Sequence, residues 1–444
     1  MIRRLTALAF LLCATGVLAQ QTVKPPEPAK KPADPAAKPT EPAKKPTEPA
    51  KTPPSPQELL KTADELVKQV AALRQLTVRA PVKRGVLNRE AIKARLRTQI
   101  KRQYTSREIQ IEGGVLKALG LLPPDLDYEK LQLDLLMEQV AGFYDPWGKQ
   151  LYIADWLPTE MQPPALAHEI AHALQDQHFD LKKFVTPVHD QGDRQLARSA
   201  LVEGDGTGVM IEFASHKDLS AMPDMSKMMD LLSSTGALSL GPAGPMPVLE
   251  KAPAFIKQSL LFPYVSGLGF VQYVRKRYPW AKLDEAYRRP PESTEQIIHP
   301  EKFFAREHPV WIKAAPLAAM KSAGAKMVHE DTFGELQTRL FLSIVGGAAG
   351  ASDAAAGWGG DRMVAYEPSG GGPYQVVWLT QWDTEADASE FANAAKPAIE
   401  KLSAWASEPR GKQVLVLIGI APESCQKVAD QVFKSWKPTT APPQ

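Results

Sequence analysis

The sequence predicts an α+β protein, with a mainly helical domain that carries a small sheet and a smaller C-terminal α/β layer domain behind it. Three observations lead there. Apolar residues recur at helical spacing in successive segments, beginning with Leu59, Leu60, Leu66, Val67, Val70 and Leu73. The segment from Gly142 to Ile153 reads instead as two short strands around an Asp145–Gly148 turn. From about residue 315 onward, strand-like and helix-like segments alternate.

The chain has 444 residues, enough for two or three domains, and a formal net charge of +3. Two of the positive charges, Arg3 and Arg4, stand at the extreme N-terminus. The remainder is close to neutral and presents no concentrated Lys/Arg face, so the sequence does not predict a nucleic-acid partner.

Residues 1–19 read as a secretory signal peptide: Arg3 and Arg4 form the charged region, Leu5 to Leu18 the apolar region, and Val17-Leu18-Ala19 the cleavage site. The apolar run is short for a bilayer span, and Leu12 is bulky for lipid attachment at Cys13. The expectation is an exported protein, periplasmic or extracellular, with no transmembrane span once cleaved. Of the two cysteines, Cys13 and Cys425, cleavage leaves only the second. The mature chain then has no internal disulfide, and any metal is not held by thiolates.

Residues 20–55 form a Pro/Lys/Ala tract in which KPTEPAK (38–44) is repeated at 45–51. It has little to bury and is expected to be an extended, disordered linker. Contact with a cell-envelope layer and a passive solvated tail are equally consistent with it. Region 56–140 is expected to be a helical scaffold. Ser55 and Glu58 make a capping box there, Thr105 and Glu108 another, and helices are predicted over Arg89–Gln103, Thr105–Leu121 and Tyr128–Val140.

Region 141–314 is expected to be the functional core. Pro163-Pro164 opens a helix reaching about His178, and another spans roughly Arg194–Ala214. A methionine-rich stretch follows, with Met222, Met225, Met228, Met229 and Met246, suited to a lid but more commonly core filling. Region 315–437 is expected to be the second domain. It has strands at Arg362–Tyr366, Gln375–Trp382 and Gln413–Ile420, and helices at Glu385–Leu402 and Pro422–Trp436. Gly357–Gly360 and Gly370–Gly372 lack phosphate-loop spacing and read as turns.

The chemistry is concentrated in His168-Glu169-Ile170-Ala171-His172. On a helix, residues i and i+4 differ by about 40° and ~6 Å. Both imidazoles therefore project from one face, as two corners of a zinc tetrahedron require, and Glu169 can reach a water in an open coordination position. The apolar neighbours Ala165, Leu166, Ile170 and Leu174 leave this polar trio without an ordinary surface role. A catalytic site needs a third ligand. His178 follows His172 at the metzincin spacing, but Gln175 stands where that pattern has a glycine. On a continuing helix His178 points about 240° away and lies ~9 Å further along. Glu203, in Ala200-Leu-Val-Glu-Gly-Asp205, is preferred, because Gly204, Gly206 and Gly208 keep its helix slim enough to pack closely on the first.

With these residues the segment from about Gly142 to Tyr273 resembles the gluzincins, the thermolysin-like and aminopeptidase-like zinc peptidases with two histidines and a glutamate. The resemblance implies a zincin-like catalytic domain, about one Zn2+ per chain, and a peptide or protein substrate. Tyr264-Val-Ser-Gly267 is similar to the Tyr-x-x-Gly segment of zinc aminopeptidases and implies that the Tyr264 hydroxyl steadies the oxyanion. The aminopeptidase Gly-x-Met-Glu-Asn motif is not present, which leaves exopeptidase specificity unimplied. Thr207 stands where thermolysin-like enzymes carry a supporting aspartate, and from its spacing Asp176 is the candidate to orient a ligand instead. Ser293 and Gln296 form a further capping box, and His299 is expected to be structural. The mechanism expected is attack by a zinc-activated water with Glu169 as general base. The rival expectation is a non-catalytic envelope binding protein in which zinc is a structural clip.

Overall fold

A computed structural model describes residues 55–439, apart from 104, 140–141, 157–161, 226–239 and 242–243. The expected signal peptide and nearly all of the Pro/Lys/Ala tract lie outside the described residues, as do Met228 and Met229.

The first helix, α1 (Pro56–Arg74), starts at a complete capping box. Ser55 Oγ accepts from Glu58 N at 3.3 Å, and a Glu58 carboxylate oxygen accepts from Ser55 N at 2.7 Å. Next come β1 (Lys83–Leu87), α2 (Arg89–Gln103), α3 (Ser106–Ala118) and α4 (Tyr128–Gln139), with the Thr105–Glu108 box also complete. The expected hairpin is β2 (Gly142–Asp145) with β3 (Gln150–Ala154). The sheet has a third strand that periodicity does not predict: β1 pairs in parallel with β3, giving the order β1-β3-β2. The sequence KRGVL of β1 is only half-buried and carries no apolar alternation, so nothing local marks it as a strand.

Against β2 and β3 lies α5 (Gln162–Phe179), which also packs on α1 and on α6 (Gly192–Ser215); α6 in turn packs on α7 (Ala254–Arg275). Tyr264 lies well inside α7, and so does Pro263. An interior proline costs a helix about 3 kcal/mol. Burial of Phe255, Ile256, Leu260 and Phe262 outweighs that. By length and composition α7 could cross a membrane, but 67% of its most apolar stretch is buried within the protein, as a core helix is. The described methionines of the rich stretch serve as packing: Met225 and Met246 are buried, and Met222 packs against the core.

After α8 (Trp280–Arg288) and α9 (Thr294–Ile298), β4 (Trp311–Lys313) pairs with the terminal β10 (Lys437–Thr439). Between them a five-stranded antiparallel sheet is built from β5 (Lys326–Asp331), β6 (Trp358–Glu367), β7 (Gln375–Trp382), β8 (Trp405–Ala406) and β9 (Gln413–Ile418), in the order β8-β9-β7-β6-β5. Helices α10 (Gly334–Leu340), α11 (Glu385–Lys401) and α12 (Pro422–Ser435) accompany it. Gly359 and Gly360, expected in a turn, lie in β6 beside a register shift. The backbone there passes so close to Val310 O that a Cβ on Gly360 would stand 2.2 Å from it.

Alternation along these strands divides the sheet between two cores. Met363, Ala365, Val376, Trp378, Val414 and Val416 face a core continuous with that of α1, α5, α6 and α7. Val364, Tyr366, Val377, Leu379, Leu415 and Leu417 face Val428, Val432 and Trp436 on the other side. The molecule is α+β, and its C-terminal sheet shares one hydrophobic core with the helical part.

The junction is also polar. Asp331, at the end of β5, accepts from Gly192 N at 2.6 Å and so caps the start of α6, whose own N-cap residue Gln191 makes no side-chain cap bond. Arg362 on β6 donates to Asp190 O at 2.8 Å and to Asp190 Oδ2 at 2.7 Å.

Candidate metal centre

Every residue of α5 from Ala165 to Asp176 is buried, including His168, Glu169 and His172. Burying three ionisable groups on one helix costs free energy unless each has a partner, and the partners come from α6 and β2. The depth of α6 against its neighbours is set by glycine. A Cβ on Gly204 would stand 2.2 Å from the carbonyl carbon of Gly267 on α7, and one on Gly206 would stand 3.0 Å from His168 Cε1 and 3.1 Å from His172 Cε1. Asp205 between them holds the helix in rotation: it accepts from Arg74 Nε at 2.7 Å and from the Tyr287 hydroxyl at 2.8 Å.

That placement brings Glu203 to the histidines. Its Oε2 lies 3.1 Å from His168 Nε2 and 3.5 Å from His172 Nε2, and the two Nε2 atoms are 3.0 Å apart. Donors ~2.0–2.1 Å from a tetrahedral zinc are separated by about 3.3 Å, so this triangle has the dimensions of one face of such a site. Two nitrogens and one carboxylate oxygen are also the donor set that a catalytic zinc takes. Glu203 Oε1 and His168 Nδ1 have no hydrogen-bond partner among the described residues.

The electrostatics follow from the same geometry. Burial pulls the His172 imidazole down, but Glu203 and then Glu169 overcome it and push it up to about 9. Burial raises the Glu203 carboxyl, yet the neighbouring histidines bring it net below its ordinary value. Without a metal, the site therefore stores a carboxylate against a protonated imidazole.

Glu169 is near both rings: one of its carboxylate oxygens and a ring nitrogen of each histidine lie within 4.8 Å of one another. Its Oε2 accepts from the backbone N–H of Tyr144 on β2 at 2.7 Å. The side chain of the same tyrosine donates to Asp176 Oδ2 at 2.8 Å, while Asp176 Oδ1 accepts from Leu181 N at 2.8 Å. Asp176 therefore does not orient a histidine, as its spacing suggests, because both of its oxygens are engaged elsewhere. Gln175 has that part. Its Oε1 is 2.9 Å from His172 Nδ1, and its Nε2 donates to Val202 O at 3.4 Å. With Nδ1–H donating to Gln175, the lone pair of a neutral His172 is on Nε2, towards Glu203 and His168.

The remaining candidates divide. Tyr264 is buried, with its ring 6.3 Å from that of His168 and inclined by 30°. His178 is half-buried, and its Nε2 bonds Thr77 O at 2.7 Å, away from the site. His299 bonds Glu335 at 3.0 Å, so it is structural. Ser293 accepts from Gln296 N, but the Gln296 side chain accepts from Glu292 N, so that capping box is half made. Two cavities, of about 630 and 260 Å3, run along α2, and no residue of the histidine–glutamate cluster lines either. Sequence reasoning missed Gln175, Tyr144 and Asp205. Only Gln175 had a local signal, since i+3 from His172 shares its face.

A family model for a domain of unknown function, DUF8575, matches residues 323–426, a span that contains the five-stranded sheet and none of the cluster around the histidines. No curated protein and no solved structure matches the chain.

Proposed function

We propose that this chain is an exported zinc-dependent peptidase in which His168, His172 and Glu203 hold one Zn2+ and Glu169 is the general base. The observation that carries the reading is the triangle of His168 Nε2, His172 Nε2 and Glu203 Oε2, with edges of 3.0, 3.1 and 3.5 Å. Export rests on the leader-like run from Arg3 to Ala19.

Zinc, when bound, lowers the pKa of a water towards about 7 and polarises the substrate carbonyl. The other steps belong to the chain. Tyr144 N–H fixes one oxygen of Glu169, and the carboxylate so oriented takes the proton of the attacking water and returns it to the departing amine. Gln175 holds the His172 ring in its tautomer. Tyr264, beside His168, supplies the hydroxyl that meets the developing oxyanion.

Glu169 also favours a second reading. Its carboxylate is close enough to both histidines to be a fourth ligand of a structural clip, which would close the site. Glu169→Gln separates the two. The peptidase reading expects cleavage of a peptide library to disappear while bound zinc stays near one per chain. Loss of the zinc in that variant, with no cleavage by the parent protein, would favour the clip.

A further inference from the structure

The 260 Å3 cavity lies between the C-terminal end of α2 and the β2–β3 turn, and it is built from side chains the proposed reaction does not use. Gln99, Arg102 and Gln103 line one side, Trp147 the second, and Thr186 and His189 the third. Gln99 is 5% exposed, and neither its Nε2 nor its Oε1 has a hydrogen-bond partner among the described residues. A buried amide with both ends unmet costs stability, and it is the feature here that calls for a ligand. Arg102 and Gln103 follow Gln99 by three and four residues, so all three share one helix face.

We propose that this cavity binds the C-terminal end of a peptide. In an extended residue the N–H and the C=O point to the same side. One such residue satisfies the donor and the acceptor of Gln99 together. The free carboxylate next to it meets the Arg102 guanidinium, whose planar fork matches a carboxylate better than any neutral acceptor. The half-buried Trp147 indole flanks the last side chain. The volume is below the roughly 300–1,000 Å3 of sites that enclose a whole small molecule, which suits a chain end. Trp147 follows Tyr144 by three residues, at most about 11 Å along the chain. The cavity is thus close to the strand that holds Glu169, but the inference does not rest on the metal reading.

The test is calorimetric titration of the full chain carrying Glu169→Gln, so that the probe is not consumed. The probes are N-acetyl-Ala-Ala-Phe with a free carboxylate and the same peptide as its C-terminal amide. The acid is expected to bind at least about tenfold more tightly than the amide. Arg102→Ala should erase that preference. Gln99→Leu should weaken both probes without lowering the melting temperature, because it removes two unmet polar atoms from a buried position. Equal binding of acid and amide, unchanged affinities in either variant, or no binding heat at all (a cavity filled by water alone) would overturn the proposal. So would a clear loss of stability in Gln99→Leu, because the amide would then be engaged within the protein itself.

Discussion

Gly204 on α6 and Gly267 on α7 meet backbone to backbone: a Cβ on Gly267 would stand 2.1 Å from Ala200 O, and one on Gly204 would stand 2.2 Å from the Gly267 carbonyl carbon. Neither obstacle is a flexible side chain, so a methyl group at position 204 must push the helices apart. Gly204→Ala is expected to lose about 1–3 kcal/mol of stability. Gly208→Ala, whose nearest neighbour is a Leu219 side-chain atom at 3.3 Å, should lose less. Calorimetric melting of the two variants checks the order; equal losses would mean that the helix contact is looser than this.

Glu203→Ala should strip most of the zinc from the purified protein, and His178→Ala should leave it. Glu203 touches both histidines, whereas His178 is committed to Thr77 O. Metal analysis after gel filtration decides between them. The opposite pattern would overturn the ligand set.

Gln175→Leu removes the partner of His172 Nδ1 but keeps the volume of a buried helix position. Loss of such an orienting group typically weakens metal binding 10–100-fold. A competition titration with a zinc chelator is the measurement, and unchanged affinity would show that the ring is held by packing alone.

Stability should fall as pH rises from about 4 to 8. Burial, reinforced by Asp361 and Glu335, pushes Asp193 up to about 8 against its bonds from Thr294, and burial pushes Asp361 up to about 7 against its bonds from Trp378 and Phe333 and the charge of Arg362. Both groups keep a proton in the folded chain that the unfolded chain releases above ~4. Their stabilising contribution is complete below that value and is lost as pH rises through 7 to 8. The slope approaches ~1.4 kcal/mol per pH unit for each proton retained. Asp193→Asn should flatten the dependence of melting temperature on pH over this range, and an unchanged slope would locate the linked proton elsewhere.

The proximity of His168, Glu169 and His172 was legible because a helix converts sequence spacing into a shared face, and that of Glu203 because the glycines around it announce a close helix contact. Tyr144 was illegible: it acts through a backbone N–H, which every residue but proline possesses. Strand β1 was hidden for a related reason, since its partner β3 is remote in sequence and its own residues are only half-buried. Asp176 misled because two i+4 neighbours share a face but not necessarily a task.

Gly206 contributes no side-chain atom to the histidine–glutamate cluster, yet it lies against both imidazoles, where a Cβ would stand 3.0–3.1 Å from their ring atoms. Every other amino acid brings at least a Cβ into that space. To admit a methyl group at position 206, His168 and His172 would have to give by a few tenths of an ångström, and larger side chains would displace them further.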